Sequence, residues 1–414
     1  MKNEYDILIL GGGAAGFFTA INAAELNPSF KIAILERGQE VLTKVKISGG
    51  GRCNVTHAEF IPKELSTNYP RGEKELLGPF HSFMTGDTIA WFEERGVALK
   101  IEEDGRMFPT SNSSQTIIDC FTSETERLEI EVLKGQSVKA IVKEEEHFKI
   151  VTTSEEFVTT KLVVATGSNP KVWKLLSTLG HTIIPPVPSL FTFNIKDERI
   201  ANLPGIATNV SIKIVLPSPF GGAGGGLESE GPLLITHWGM SGPAILKLSA
   251  WGARLLEPTK YHFIIRVNWL QYLSTEDVLE QLLELKLQNP KQTLQKYAQF
   301  DLPKRLWQSL LKASGIDETQ IWADITKKQL TAISEALTQS TFNVEGKSTF
   351  KEEFVTAGGV KLKEVNFKTF ESKLHPNLFF AGEVLNIDAI TGGFNFQNAW
   401  TGGFMVANAL VKDI

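Results

Sequence analysis

The chain has few cysteines, no long apolar run and no run of basic residues, and each lack narrows what it can be. Only Cys53 and Cys120 occur in 414 residues. Two thiols cannot staple so long a chain, so no disulfide scaffold is expected, and the composition suits a reducing, cytoplasmic setting. No apolar stretch reaches the roughly 18 residues of a membrane-spanning helix, so no membrane partner is expected. The nearest approach, residues 7–24, is broken by Gly11, Gly12, Gly13 and Gly16, and Glu4 and Asp6 stand where a secretion signal carries positive charge. A net charge of -5 and a pI near 5.9 offer no basic stripe for phosphates, so nucleic acid is not expected as a partner. The seven histidines show no His-Glu-x-x-His or cysteine-rich spacing, and no metal is expected.

What is present is the composition of a globular protein, 42% hydrophobic and 21% charged, at a length that predicts two or three domains. Residues 5–10 form an apolar run that predicts a buried parallel strand. Gly11-x-Gly13-x-x-Gly16 follows directly, then a helical stretch over 14–25, then a second strand over 31–35 ending at Glu36. Each part has a reason in dinucleotide chemistry. Gly11 permits the tight turn, Gly13 lets backbone approach a pyrophosphate, and Gly16 lets helix and strand pack closely. The helix start favours an anion and Glu36 can accept from a ribose hydroxyl. The competing reading is a glycine-rich structural turn with Glu36 as a solvated strand end.

The end of the chain separates FAD from a nicotinamide cofactor. Residues 377–383 predict a strand ending Ala381-Gly382-Glu383, and Gly392-Gly393 opens a helix running to about residue 411. A carboxylate there can accept from ribityl hydroxyls, and a helix start can stabilise negative charge on a reduced flavin ring. The plainer alternative is a C-terminal packing helix. Residues 38–57 are read as a glycine-rich basic loop. In it Lys46, Ser48, Gly50, Gly51, Arg52, Cys53 and Asn54 could approach the cofactor, or simply be solvated. Cys53 has Ala58 five positions on, so no dithiol relay of the glutathione reductase type is available. Phe394, Phe396 and Trp400 could wall a flavin or pack in the core.

Between these ends, residues 84–95 predict an amphipathic helix and 128–164 a meander of strands. Prolines at 185–188 predict an exit from the first domain. Residues 190–268 read as strands with a flexible loop at Gly221 to Gly226, and 274–339 as helices with capping boxes at Ser274/Asp277 and Thr326/Gln329. Residues 341–355 return to a strand pattern. One domain built from both chain ends, with the middle inserted, follows. His237, in Thr236-His237-Trp238-Gly239, is the candidate catalytic acid or substrate-anion ligand, with a structural histidine as the alternative. The interruption of the first domain by residues 190–355 predicts a substrate cleft at the domain interface, within reach of His237.

Several segments together resemble the YhiN/BaiN-like family of NAD(P)/FAD-dependent oxidoreductases, which includes aminoacetone oxidase-like flavoproteins. They are GGGAAG at 11–16, KVKISGGGRCNVT at 44–56, EEDGRMFP at 102–109, ATGS at 165–168, THWGMSGPAIL at 236–246, VTAGGV at 355–360 and FFAGEVLNIDAITGGFNFQNAWTGG at 379–403. The chain departs from the family pattern at His57, Asn386, Ala389 and Phe394. The resemblance implies an α/β fold: a glutathione reductase-type FAD-binding Rossmann-like domain, 1–189 and 356–414, with an inserted β-barrel domain, 190–268 and 340–355, and a small helical domain, 269–339. It implies FAD contacts at Gly11, Gly13, Gly16, Glu36, Arg52, Cys53, Glu383 and Asn395. Ala14, Ala15, Arg37, Ala165, Thr166, Gly167, Gly382, Gly392 and Gly393 flank these and complete the candidate set. The expected activity is hydride transfer from NAD(P)H, a transient co-substrate, through FAD to a small enone-type acceptor. The alternatives are an oxidase of a small amine and an RNA-modifying or non-catalytic FAD protein.

Overall fold

A computed structural model describes residues 3–215, 227–348 and 355–412, so the loop expected at Gly221 to Gly226 lies outside the described residues. The chain divides into two compact units, Met1–Pro188 with Lys351–Ile414, and Ser189–Phe350.

The first unit is built on a nine-stranded sheet among the described residues. Its centre is parallel, in the order Glu131–Leu133, Ile32–Leu35, Glu4–Leu10, Glu156–Val164 and Leu378–Phe380. Ile7, Leu8, Ile9 and Leu10 are all buried, because a central parallel strand is covered on both faces, and that is why the sequence there is a continuous apolar run. Val138–Lys143 and Phe148–Thr152 add an antiparallel meander leading into Glu156–Val164. The helix Ala14–Leu26 is buried over Ala15 to Ala24. It lies against the helix Phe394–Leu410 through small residues: a side chain added at Gly403 would come within 3.1 Å of Thr19 Oγ1 and 3.3 Å of the Ala15 carbonyl oxygen.

The second unit holds a seven-stranded sheet whose order is Ser340–Glu345, His262–Asn268, Ala207–Val215, Glu228–Thr236, Gly239–Ser241, Thr192–Asn194 and Lys347–Ser348. All the pairs in it are antiparallel. The helices Thr275–Gln288, Lys304–Ala313 and Lys327–Thr338 share one core with this sheet, where Phe193, Ile212 and Ile265 meet Leu282, Trp307 and Ile333. Two of these helices begin with the capping boxes read from sequence, Ser274 with Asp277 and Thr326 with Gln329. The segment read as strands through 268 contains a 14-residue helix, Pro243–Leu256. Gly242-Pro243 looks like a breaker, but proline in the first turn of a helix lacks only an N–H that would go unpaired anyway.

Beside the first unit's sheet, the strand Ile183–Ser189 pairs with Val355–Val360, so the predicted proline-rich exit is itself a strand. Its entry is held by a buried polar cluster. His181 has Nδ1 3.2 Å from Glu364 Oε2 and Nε2 3.0 Å from Ser372 Oγ. The Ser372 oxygen also accepts the backbone N–H groups of Leu374 and His375, each at 3.0 Å. The hydroxyl therefore has its proton left to give to Nε2, which makes the neutral imidazole the one that fits. Burial holds the His181 pKa below the ordinary histidine value, against the opposing pull of the Glu364 carboxylate. The unfolded chain thus binds more protons than the folded one near the histidine range. This contribution is complete above about pH 6.5 and is lost as pH falls toward the lowered folded value. Melting temperature should decline as pH falls below about 6.5, with a shallower slope in His181→Asn. Parallel slopes in the two proteins would remove His181 as the cause.

Candidate cofactor and active site

Four parallel strands of the first unit end together. Leu10 is in register with Leu35 and with Val164, and Val164 with Phe380. The residues that follow each end are the ones the sequence nominated: Gly11 to Gly16, Glu36, Ala165-Thr166-Gly167 and Gly382-Glu383. The carboxyl ends of parallel strands are where open α/β sheets hold ligands.

The first turn is closed by contact. Gly11 has φ +112°, and a side chain there would come within 2.4 Å of the Ala165 carbonyl oxygen. Gly13 caps the helix Ala14–Leu26 with no side-chain cap, and no acidic residue sits in its first turn. A side chain built at Gly13 would meet nothing within 4 Å. There is thus room beside the uncapped helix start, where an anion would be favoured. Ala14 and Ala15 begin the helix, and Ala15 is packed 3.1 Å from where a side chain on Gly382 would stand. The Thr166 hydroxyl is buried with no partner in the protein, a polar group that a ligand hydroxyl or phosphate would satisfy.

The two carboxylates of the crevice are held differently. Glu36 accepts the N–H of Gly12 at 2.9 Å through Oε2 and that of Gly38 at 2.8 Å through Oε1. These bonds fix its orientation and leave lone pairs for ribose hydroxyls. Arg37 next to it is exposed. Glu383 pairs with Lys44, a residue that sequence reasoning passed over in favour of Lys46. Lys46 pairs instead with Glu40, 3.5 Å away. A side chain on Gly167 would lie 3.7 Å from Glu383 Oε2, so the Glu383 carboxylate stands beside the Ala165-Thr166-Gly167 turn.

The segment 38–57 is not the plain loop the sequence suggested. Thr43–Gly51 is helical with a break at Ser48, Gly49 and Gly50, and Thr56–His57 is a strand. Lys44 and Val45 lie in its first turns, where the apolar Val45 is buried, and the glycines supply the break. Ser48 donates to the Val45 carbonyl at 3.0 Å, and a side chain at Gly50 would meet nothing within 4 Å, with Gly51 scarcely more crowded. Arg52 pairs with Glu102 and lies over the Phe108 ring, 3.9 Å from its centroid. Cys53 is fully buried with φ +60°, and burial pushes its thiol up to about 12. Asn54 Oδ1 accepts the N–H of Met107 at 3.3 Å.

A second helix start completes the arrangement. Gly393, with φ +99°, caps Phe394–Leu410 without a side-chain cap and with no acidic residue in the first turn. A side chain there would strike the Thr56 carbonyl oxygen at 2.5 Å and Asn54 Oδ1 at 2.9 Å, so Gly393 and the 48–54 segment are in direct contact. The Gly392 carbonyl lies 3.1 Å from His57 Nδ1, and the His57 ring is 4.5 Å from that of Phe394. Asn395 spends its side-chain amide on the backbone of Ala389, at 3.0 and 3.3 Å. Gln397 is buried, accepting from Thr56 and Thr88 hydroxyls at 2.6 and 3.0 Å, so its side chain belongs to the core. Trp400 is buried and donates to the Val55 carbonyl at 2.9 Å, which makes it core. His237 belongs to the second unit, exposed on the turn joining Glu228–Thr236 to Gly239–Ser241.

Two uncapped helix starts, an oriented carboxylate at each end of the crevice and an unpartnered buried hydroxyl fit a dinucleotide with a pyrophosphate in its middle, as FAD has. Among the described residues no helix is long and apolar enough to cross a membrane. Comparison with protein families matches residues 5–409 to the HI0933-like protein Rossmann domain. A ribosomal RNA dihydrouridine synthase of Haemophilus influenzae is 29% identical over 426 residues, covering 100% of both chains. A 3-dehydro-bile acid delta(4,6)-reductase of Clostridium scindens is 27% identical over 98% of both. The solved 3-ketosteroid delta1-dehydrogenase of Sterolibacterium denitrificans shares the fold, with a TM-score of 0.52 over 100% of both chains at 10% identity.

Glu36→Ala should keep the fold and weaken dinucleotide binding by on the order of 1–3 kcal/mol, read as cofactor loss on dilution. Occupancy equal to that of the unaltered protein would count against the assignment. Both thiols should resist a water-soluble thiol reagent in the native protein and react after unfolding, since Cys53 and Cys120 are buried and each is pushed up to about 12.

Proposed function

This chain belongs to the HI0933-like Rossmann family and is an FAD-dependent oxidoreductase, and from that premise we propose that it reduces a carbon–carbon double bond conjugated to a carbonyl, with NADH or NADPH as reductant. The balanced reaction adds a hydride at the β-carbon and a proton at the α-carbon, and converts NAD(P)H to NAD(P)+. Bound FAD supplies the two-electron carrier between the two substrates.

The observation that carries this reading is the shared chemistry of two relatives that align over essentially the whole chain. The bile acid reductase is named for saturating delta(4,6) bonds of a 3-oxo steroid. The dihydrouridine synthase is named for a product in which uracil has lost its ring double bond, itself conjugated to a carbonyl. The residues have parts to match. The cofactor domain would be the first unit, Met1–Pro188 with Lys351–Ile414, and the helix start at Gly13 would hold the pyrophosphate. Glu36 would accept from the ribose, and Glu383, exchanging Lys44 for ligand hydroxyls, from the ribityl chain. The positive end of the helix at Gly393 would favour negative charge on the flavin pyrimidine ring. His237 is the candidate donor of the α-carbon proton.

A second form of the same reading takes uracil within RNA as the acceptor. The Haemophilus influenzae relative favours it, and it replaces the expectation that nucleic acid has no part. The purified protein should be yellow and release FAD, not FMN, on denaturation. In an anaerobic titration NADH or NADPH should bleach the flavin, and a 3-oxo-4-ene steroid or a uridine-containing RNA should restore the colour. Bleaching by a small amine and by neither nucleotide would overturn the proposal in favour of an oxidase. Cys53→Ser should retain reduction by NAD(P)H, because Cys53 has no partner thiol in its segment.

A further inference from the structure

Six of the eight tryptophans, Trp91, Trp173, Trp269, Trp307, Trp322 and Trp400, are at most 6% exposed. The other two, Trp238 and Trp251, are 38% and 40% exposed and lie thirteen positions apart (251 − 238) in the second unit. They share a stretch with an unusual charge pattern. No acidic residue occurs between Glu230 and Glu257, whereas His237, Lys247 and Arg254 do, in a chain whose net charge is -5.

These residues lie on two consecutive elements. The helix Pro243–Leu256 buries Ala244, Ile245, Leu248 and Leu256 against the core of its unit. Lys247, Trp251, Arg254 and Leu255 fall at i, i+4, i+7 and i+8, on one face, and Trp251 and Leu255 are exposed there. The strand Gly239–Ser241 runs straight into this helix, and the turn before it carries His237 and Trp238. The Trp238 indole is oriented by its Nε1–H, which donates to Thr192 Oγ1 at 3.3 Å. A half-exposed indole set between Lys247 and Arg254, with a second on the turn before the helix and no carboxylate from 231 to 256, has the parts of a stacking platform for single-stranded nucleic acid. Bases stack on the rings while Lys and Arg meet phosphates.

We propose that the turn at Trp238 and the outer face of the helix Pro243–Leu256 form a docking surface for single-stranded RNA. The inference rests on the second form of the proposed function, in which the reduced double bond belongs to a uracil in RNA. A lipid surface and a protein partner are the other occupants, and the pattern favours neither. The apolar component is a few separate side chains, and the cations sit between them.

The test uses the full-length, FAD-loaded protein and a fluorescently labelled, unstructured 12-nucleotide oligoribonucleotide containing uridines, followed by anisotropy at several salt concentrations. The unaltered protein should bind with affinity that falls as salt rises. Trp251→Ala should weaken binding about tenfold or more, and Trp251→Phe should restore most of it, since a smaller ring still stacks. Lys247→Glu with Arg254→Glu should weaken binding at least as much and flatten the salt dependence. Flavin absorbance and melting temperature should be unchanged in all three, because the altered side chains are on the outer helix face. Absence of binding by the unaltered protein, equal binding by the variants, or Trp251-dependent binding to anionic phospholipid vesicles in place of RNA would overturn the surface. The catalytic reading fails separately. Oligonucleotide bound at this surface while its uridines stay unreduced with NADPH would sink the uracil reading alone. Uridines in RNA reduced equally well by Trp251→Ala would sink the surface alone.

Discussion

The arrangement rests on a backbone constraint: neighbouring parallel strands must stop at the same level. Three hydrogen bonds form the last rungs. Gly11 N–H donates to the Leu35 carbonyl at 2.9 Å, Ala165 N–H to Leu10 at 2.8 Å, and Ala381 N–H to Val164 at 3.1 Å. The chain must then leave the sheet at once, and the Gly11 turn passes so near Ala165 that any side chain would force the two central strands apart. A slip of one residue in any rung would invert the facing of the strand concerned and move its terminal motif out of the crevice. Segments separated by more than 300 positions thus become neighbours because backbone pairing leaves them no other place.

Electrostatics then decides what such a crevice accepts. Two helices, Ala14–Leu26 and Phe394–Leu410, start at it with glycine caps and without acidic residues in their first turns. Each presents unpaired N–H groups and the positive end of a helix dipole. The carboxylates nearby are tethered so that they do not cancel this. Glu36 is tied to two backbone N–H groups, and Glu383 to Lys44, whose side chain is 56% exposed. An ion pair with one partner so open to water is worth only about 0–1 kcal/mol. It can be exchanged for bonds to ligand hydroxyls at little cost, whereas the backbone bonds to Glu36 cannot be lost without loosening the turn itself.

The sequence disclosed those parts of the fold whose signal is local. The apolar run before Gly11, the strand ending at Glu383 and the capping boxes at Ser274 and Thr326 each carry their information within a few residues. The helix Pro243–Leu256 carried one as well, with Ile245, Leu248 and Leu256 on its buried side, but Gly242-Pro243 reads as an interruption when it is in fact a helix start. The short helix at Thr43–Gly51 was hidden by its glycines, with the break beginning at Ser48 after little more than one turn. In the site, the glycines and Glu36 were legible because their spacing is the signal. The Lys44–Glu383 pair, the engagement of Arg52 with Glu102 and the burial of Gln397 were not. These depend on which distant segments share a register, and no property of the residues themselves records that.

Charge shows the same difference between local and global readings. A net charge of -5 is a sum over 414 residues, and as a sum it weighs against nucleic acid. Yet a polyanion meets only the surface within about a Debye length, roughly 8–10 Å at ordinary ionic strength. What matters to it is the sign of one face. The acid-free stretch between Glu230 and Glu257 gives such a face its sign by excluding carboxylates, with Lys247 and Arg254 as its cations. A modest positive face of that kind, held on an acidic protein, would favour exchange of substrates over tight non-specific binding, since few phosphates are neutralised and few counterions released.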